Sequence, residues 1–294
     1  MTLTGGRCTR RTVDTMLPNL LIIGAQKCGT TSLHAYLDLH PDVHMAPEKE
    51  LDFFIADRGW RNGPEWYARR FRDDAAVRGE ASPNYSAWPV WEHVPERAAS
   101  LVPEAHLVYL VRDPVDRIES HYLQRRLQDG ERGPIEAVIG DVDDPYNLFV
   151  ARSRYATQLE RWLEHYPQER VLVLGAEELR DHRNETVSAV LAHVGLEDRL
   201  DPAELDAEHH RSGDKAELAH GAARLRASAV GRVIEVIPPR VRAPVTQRLR
   251  AALSHTVERQ ELPSDLRERL VELLAPEAER LRALTGRRFE GWSL

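Results

Sequence analysis

Cysteine is scarce in this chain. Cys8 and Cys28 are the only two. One falls in a leader, residues 1–17, that reads as disordered, and the other in a glycine-containing loop. No disulfide framework is expected, which fits a reducing, cytoplasmic compartment. Long apolar runs are also missing. No segment approaches the roughly 18 uninterrupted apolar residues of a bilayer span. The opening stretch MTLTGGRCTRRTVDTM is basic but lacks the apolar core of a signal peptide. The chain therefore reads as soluble, without stable membrane insertion. Positive charge is not in excess either, because the formal net charge is −7. That balance argues against wrapping nucleic acid and disfavours a long polyanionic partner through repulsion at long range.

What is present is a 294-residue chain, 42% hydrophobic, enough for one large α/β domain over residues 18–294. Apolar runs at 19–23, His106–Val111 and 170–174 predict strands buried on both faces, and 77–80 reads as a further short strand. Helical patterns follow at 30–39, 63–72, 91–101, Pro114–Gln128, 148–166 and 184–194. Residues 41–54 read as loop and 81–86 as a turn. This alternation implies an α/β fold with a central parallel sheet and helices on both faces. Residues 197–260 break the pattern and suggest a helical insertion or cap. A helical C-terminal region, 263–285 with a bend at Pro276, closes the chain.

The stretch Gly24-Ala25-Gln26-Lys27-Cys28-Gly29-Thr30-Thr31-Ser32 joins the first strand to the first helix. Glycines let a backbone turn bring its N–H groups against an anion. The helix start adds unpaired N–H donors and partial positive charge. Thr30, Thr31 and Ser32 supply hydroxyls and Lys27 a full charge. The glycine spacing matches a nucleotidase P-loop, but that motif continues Lys-[Ser/Thr]. Here Thr30-Thr31 follow Gly29 and the lysine lies before it. A kinase would also need a magnesium-binding acid in the sheet, and Arg112 stands at the end of His106–Val111 instead.

Arg112 falls at the carboxyl end of a strand, where ligands of parallel sheets collect. Guanidinium suits phosphate through paired N–H donors. The same arginine could instead pair with Asp113 or Asp116 at the helix start. The run Glu48-Lys49-Glu50-Leu51-Asp52-Phe53-Phe54 places carboxylates beside two phenylalanines. Partial desolvation there would raise a carboxyl pKa toward a working range. A solvated acidic loop anchored by its phenylalanines is the alternative. Cys28 at a helix start invites a reactive-thiol reading, but a small loop-filling residue explains it as well.

Taken together, LPNLLIIGAQKCGTTSLHAYLDLHPDV and LVYLVRDPVDRIESHY resemble two motifs of the sulfotransferases that use 3′-phosphoadenosine-5′-phosphosulfate (PAPS). The style is that of bacterial members and of the Golgi glycosaminoglycan enzymes. The resemblance runs over residues 17–196. It implies a P-loop-like three-layer fold, PAPS as co-substrate, 3′,5′-phosphoadenosine (PAP) as product and no metal. It implies that Lys27, Cys28, Gly29, Thr30, Thr31 and Ser32 hold the phosphosulfate. Arg112 and Ser120 would hold the 3′-phosphate, and Glu50, in a Glu-x-x-Phe-Phe element, would be the general base. Asp52 or His44 could replace Glu50, whereas His121 lies on the helix beside Ser120 and is expected to point elsewhere. Tyr155, Arg211 and Lys215 are further candidates on the nucleotide side, and Phe54, Tyr85 and Arg78 on the acceptor side. Ala81 stands where several members carry lysine, which fits a less anionic acceptor. That acceptor is expected to be a small molecule, a glycolipid or a carbohydrate, sulfated on a hydroxyl or an amine. The rivals are a P-loop kinase and a non-catalytic nucleotide-binding module.

Overall fold

The protein is seen as a computed structural model that describes residues 16–72, 74–128, 133–208 and 262–294. Most of the proposed cap, with Arg211 and Lys215, lies outside the described residues. Five parallel strands form one sheet in the order β2-β3-β1-β4-β5. They are β1 (Leu20–Gly24), β2 (Val43–Met45), β3 (Val77–Ala81), β4 (His106–Val111) and β5 (Val171–Gly175). Every residue of β1 is buried, as are Leu107–Val111 of β4. Burying each such leucine, isoleucine or valine stabilises the fold by about 1.5–3 kcal/mol. These central strands are why the short apolar runs could be read as sheet.

Among the described residues the main helices, in chain order, are α1 (Thr30–Leu37), α2 (Pro64–Ala68), α3 (Val94–Leu101), α4 (Pro114–Gln128), α5 (Ile135–Ile139) and α6 (Leu148–Ala151). Then come α7 (Tyr155–Leu163), α8 (Ala176–Asp181), α9 (Arg183–His193) and α10 (Ser264–Thr285). Two expectations change. The 41–54 loop contains an edge strand, β2, paired in parallel with β3 through Val43↔Val77. The single helix over 148–166 is two helices, α6 and α7, parted at Arg152–Arg154. The break has a local cause: the Ser153 hydroxyl accepts from Arg117 Nε at 2.6 Å and donates to Pro114 O at 3.2 Å. It turns Arg152 and Ser153 inward, where both are buried. The expected terminal helix forms as α10, which runs through Pro276. It is tied to α7 by Glu277, whose carboxylate accepts from Thr157 N at 3.0 Å and Thr157 Oγ1 at 2.7 Å.

The order of the strands positions the site. β1 lies between β3 and β4, so the connections leaving β1 and β4 diverge to opposite sides of the sheet. Such a switch point opens a crevice at the carboxyl ends of the strands.

Candidate active site

The phosphate-loop candidate leaves β1 at that crevice. A Cβ on Gly24 would fall 1.9 Å from Ser86 Oγ and 3.0 Å from Tyr109 Cε2, so only glycine fits. Gly29 takes φ 90° as the N-cap of α1, and no side chain caps that helix. The first intrahelical bond runs from Leu33 N to Gly29 O at 3.0 Å. The amides of Thr30, Thr31 and Ser32 therefore have no intrahelical acceptor, the arrangement that favours an anion. Thr30 is buried, Ser32 half-buried and Thr31 exposed. Lys27 has φ 72°. Burial, then the nearby Arg112 and Arg117 charges, lower its pKa.

Two further segments reach the same rim. Arg112 follows β4 directly, is half-buried, and pairs with Asp116 at 3.2 Å. Asp113 caps α4 by accepting from Val115 N at 2.9 Å and Asp116 N at 3.0 Å. Its other oxygen accepts from Ser293 N at 2.5 Å. Ser120 lies on α4, half-buried, four residues beyond Asp116 and therefore on the same helical side. On the opposite side of β1, Glu50 N donates to Ala81 O, the last residue of β3, at 3.1 Å. Lys27, Arg112 and the Glu50 segment thus stand at the ends of three adjacent strands. At about 4.8 Å between strands, these ends span about 10 Å.

The Glu50 carboxylate is exposed and accepts from Lys49 Nζ at 3.2 Å. Glu50 and Asp52 adopt φ 62° and 48°. With Lys27 they make three of the five non-glycine residues with positive φ among the described residues. Each such conformation costs roughly 1–2 kcal/mol, so backbone strain is concentrated at this rim. Asp52 is buried, and its carboxylate is already engaged. It accepts from Asn84 Nδ2 at 2.9 and 3.2 Å and from Arg58. Burial raises its pKa, opposed by those bonds. Beneath it Glu80 is fully buried, holding Tyr67 OH at 2.5 Å, Tyr85 OH at 2.6 Å and Ser82 Oγ at 2.6 Å. Ser82 Oγ in turn accepts from Asp52 N at 3.0 Å. This buried network fixes the turn that presents Glu50.

Sequence reasoning missed a buried cationic group under the rim. Arg117 on α4 is fully buried and donates to Ser153 Oγ and Phe149 O. Arg152 is buried and donates to Gln26 of the loop and to Asn84 Oδ1 at 2.5 Å. Burial, then Arg117, lower its pKa to about 9. His121 turns toward this group rather than away from it. Its Nε2 lies 3.4 Å from Arg152 Nη1, and burial with the surrounding arginines pushes its pKa far down, leaving a neutral imidazole.

Other expected positions need correction. Arg78 is at the start of β3, and its guanidinium donates to Leu17 O at 3.0 Å and Ala75 O at 2.6 Å. That is the amino edge of the sheet, opposite the crevice. Phe54 and Tyr85 are buried and pack at 5.5 Å between ring centroids. The Tyr85 hydroxyl donates to Glu80 and accepts from Phe54 N, while its ring borders a cavity also lined by Trp88, Trp91 and Gln158. Tyr155 is only 1% exposed. Its hydroxyl lies 3.7 Å from Cys28 Sγ, so it supports the loop from below. Burial pushes the Cys28 thiol up to about 11, which leaves it unreactive at neutral pH. His44 lies on edge strand β2, and its Nδ1 is buried without a hydrogen-bond partner.

With this geometry in view, comparison with known proteins gives the class. Residues 17–213 match the sulfotransferase domain family, more than half of the chain, and the chain belongs to that family of PAPS-dependent, sulfuryl-transferring enzymes. Among curated proteins it is similar to the human bifunctional heparan sulfate N-deacetylase/N-sulfotransferase 1, at 31% identity over 206 residues, 63% of this chain and 23% of that protein. It is also similar to its Caenorhabditis elegans counterpart, at 32% identity over 187 residues, 59% of this chain and 21% of that protein. The chain thus spans under a quarter of the length of these relatives. Among solved structures, the sulfotransferase from Alicyclobacillus acidocaldarius superposes with a TM-score of 0.66 at 24% identity. The match covers 94% of this chain and 99% of that one, and it supports the fold.

Proposed function

We propose that this chain moves the sulfuryl group of PAPS to a hydroxyl of a small-molecule, glycolipid or carbohydrate acceptor. The carrying observation is the convergence of Lys27, Arg112 and Glu50 on three adjacent strand ends. The α1 amides and Lys27 hold the 5′-phosphosulfate, and Arg112 with Ser120 holds the 3′-phosphate. Glu50 takes the acceptor proton as the acceptor oxygen forms its bond to sulfur. The bond from sulfur to the bridging oxygen breaks in line, and its electron pair stays on the 5′-phosphate of PAP. Lys27 stabilises that charge. Asp52 holds the Glu50 turn, because its carboxylate is occupied by Asn84 and Arg58. The exposed Glu50 carboxylate is the one open to an acceptor.

A second reading, transfer to an amine, is favoured by the N-sulfotransferase activity in the names of the similar curated proteins. A transfer screen with radiolabelled PAPS over hydroxyl- and amine-bearing acceptors separates the two. Lys27→Ala and Glu50→Ala are expected to lose most transfer while keeping the wild-type circular dichroism and melting temperature. Undiminished turnover in both would overturn the mechanism, and magnesium-dependent ATP turnover would restore the kinase reading.

A further inference from the structure

Arg152 holds four groups drawn from three separate parts of the chain. One terminal nitrogen, Nη1, donates to the Gln26 side chain in the phosphate loop and lies 3.4 Å from His121 Nε2. The other, Nη2, donates to Asn84 Oδ1 at 2.5 Å. Asn84 passes the contact on by donating to both Asp52 oxygens, at 2.9 and 3.2 Å. The guanidinium also lies 5.5 Å from the centre of the Trp91 ring. No carboxylate pairs with Arg152 among the described residues, and its Nε is buried without a partner.

A buried arginine without a direct ion pair is costly, because desolvation of the charge is offset only by neutral hydrogen-bond acceptors and by the more distant Glu50 and Asp52 charges. A merely structural cross-link between Gln26 and Asn84 would not need the charge. Its placement is specific as well. One end touches the loop that faces the donor nucleotide, and the other touches the residue that engages Asp52, two positions from Glu50. Rigid guanidinium geometry suits such a span, since its N–H groups diverge in a fixed plane.

We propose that Arg152 is a positioning residue, a strut that couples occupancy of the phosphate loop to the order of the Glu50–Asp52 turn. The proposal rests on the phosphosulfate reading of that loop. In the chain Gln26–Arg152–Asn84–Asp52, an anion that orders the loop also orders the segment that presents the base. A site built this way holds its base more firmly when donor is bound.

The test is hydrogen exchange by mass spectrometry with PAP as the probe, on the full chain. It follows peptides covering residues 24–32 and 47–57, alongside calorimetric titration of PAP. In the wild-type protein PAP is expected to slow exchange in both segments, by about threefold or more in 47–57, since local opening is what exchange reports. In Arg152→Gln the loop should still be protected and PAP should still bind, while protection of 47–57 is lost. Gln26→Ala and Asn84→Ala cut one bond at either end and leave the buried charge in place, so they decide the matter where Arg152→Gln fails to fold. Each should uncouple 47–57 from PAP, and the double variant should be no worse than either single one. Unchanged protection of 47–57 in these variants would overturn the strut. So would wild-type protection confined to 24–32. Failure of PAP to bind or protect either segment would instead overturn the nucleotide reading.

Discussion

If the crevice carries two anchors for one nucleotide, removing each should have a different signature. Lys27 stands at the loop and would meet the 5′-phosphate. Arg112, at the neighbouring strand end, would meet the 3′-phosphate. A hydrogen bond to a charged group is worth about 1.5–3 kcal/mol. Arg112 must share itself with Asp116, a pair at 3.2 Å with both side chains partly exposed. An i,i+4 pair of that kind is worth about 0.3–0.5 kcal/mol. The competing pair is the smaller effect, so at least about 1 kcal/mol remains for the phosphate, or about fivefold in affinity. The upper end corresponds to about 150-fold. The assay is calorimetric titration of wild type, Lys27→Ala and Arg112→Ala with PAP and with adenosine 5′-phosphate, at one ionic strength. Lys27→Ala should weaken both nucleotides by similar factors. Arg112→Ala should weaken PAP by between five- and 150-fold and leave adenosine 5′-phosphate within about twofold, on the same arithmetic. Equal losses for both nucleotides in Arg112→Ala would refute the two-anchor assignment.

Other outcomes follow from the same coordinates. Because burial and Arg112 lower the Lys27 pKa, its charge is lost at lower pH than a free lysine's. PAP affinity should therefore decline on the alkaline side before pH 10.5 is reached, and a titration of Lys27→Arg should lack that decline. Gly24→Ala should destabilise the fold by about 1–3 kcal/mol through overpacking, because its methyl meets Ser86 Oγ. Denaturant melts should show Ser86→Gly in the same chain recovering part of that loss. His106 is held neutral by burial and by His193 and Arg170, with its pKa lowered to about 4 from 6.5. A base with a depressed folded pKa contributes stability above its unfolded value and loses it as pH falls. Thermal midpoints should thus drop between pH 6.5 and 4, and His106→Asn should flatten that slope. Cys28, with its thiol near 11, should resist alkylation at pH ~8 in the folded protein and react only on unfolding.

The parts of the site that were legible in the sequence are those carried by local pattern. β1 and β4 are buried on both faces, so they appear as uninterrupted apolar runs, and the residues at their carboxyl ends could be named at once. β2 was not legible, because it has three residues, sits at the sheet edge and half-exposes His44. The acceptor-side aromatics sit deeper than their place beside a motif suggests: Phe54 is buried, and the Tyr85 hydroxyl is engaged by Glu80 and Phe54 N. The arginine strut was hidden behind an apparently continuous helical pattern. Its partners lie 126 and 68 residues away in sequence, and no local periodicity reports such contacts. Arg117 left one faint signal, a charge within the stripe of α4 that also buries Val115, Ile118 and His121.

Net charge misleads in the same direction. A formal charge of −7 suggests a protein averse to anions, whereas Lys27, Arg112, Arg117 and Arg152 lie together about one crevice. Charges exposed to solvent are screened within about 10 Å at ordinary ionic strength. The buried cations are not screened in that way. Arg117 and Arg152 have only neutral hydrogen-bond acceptors among the described residues, so no direct ion pair offsets the desolvation of either. An anion in the crevice offsets part of that cost, and binding energy and folding energy become linked.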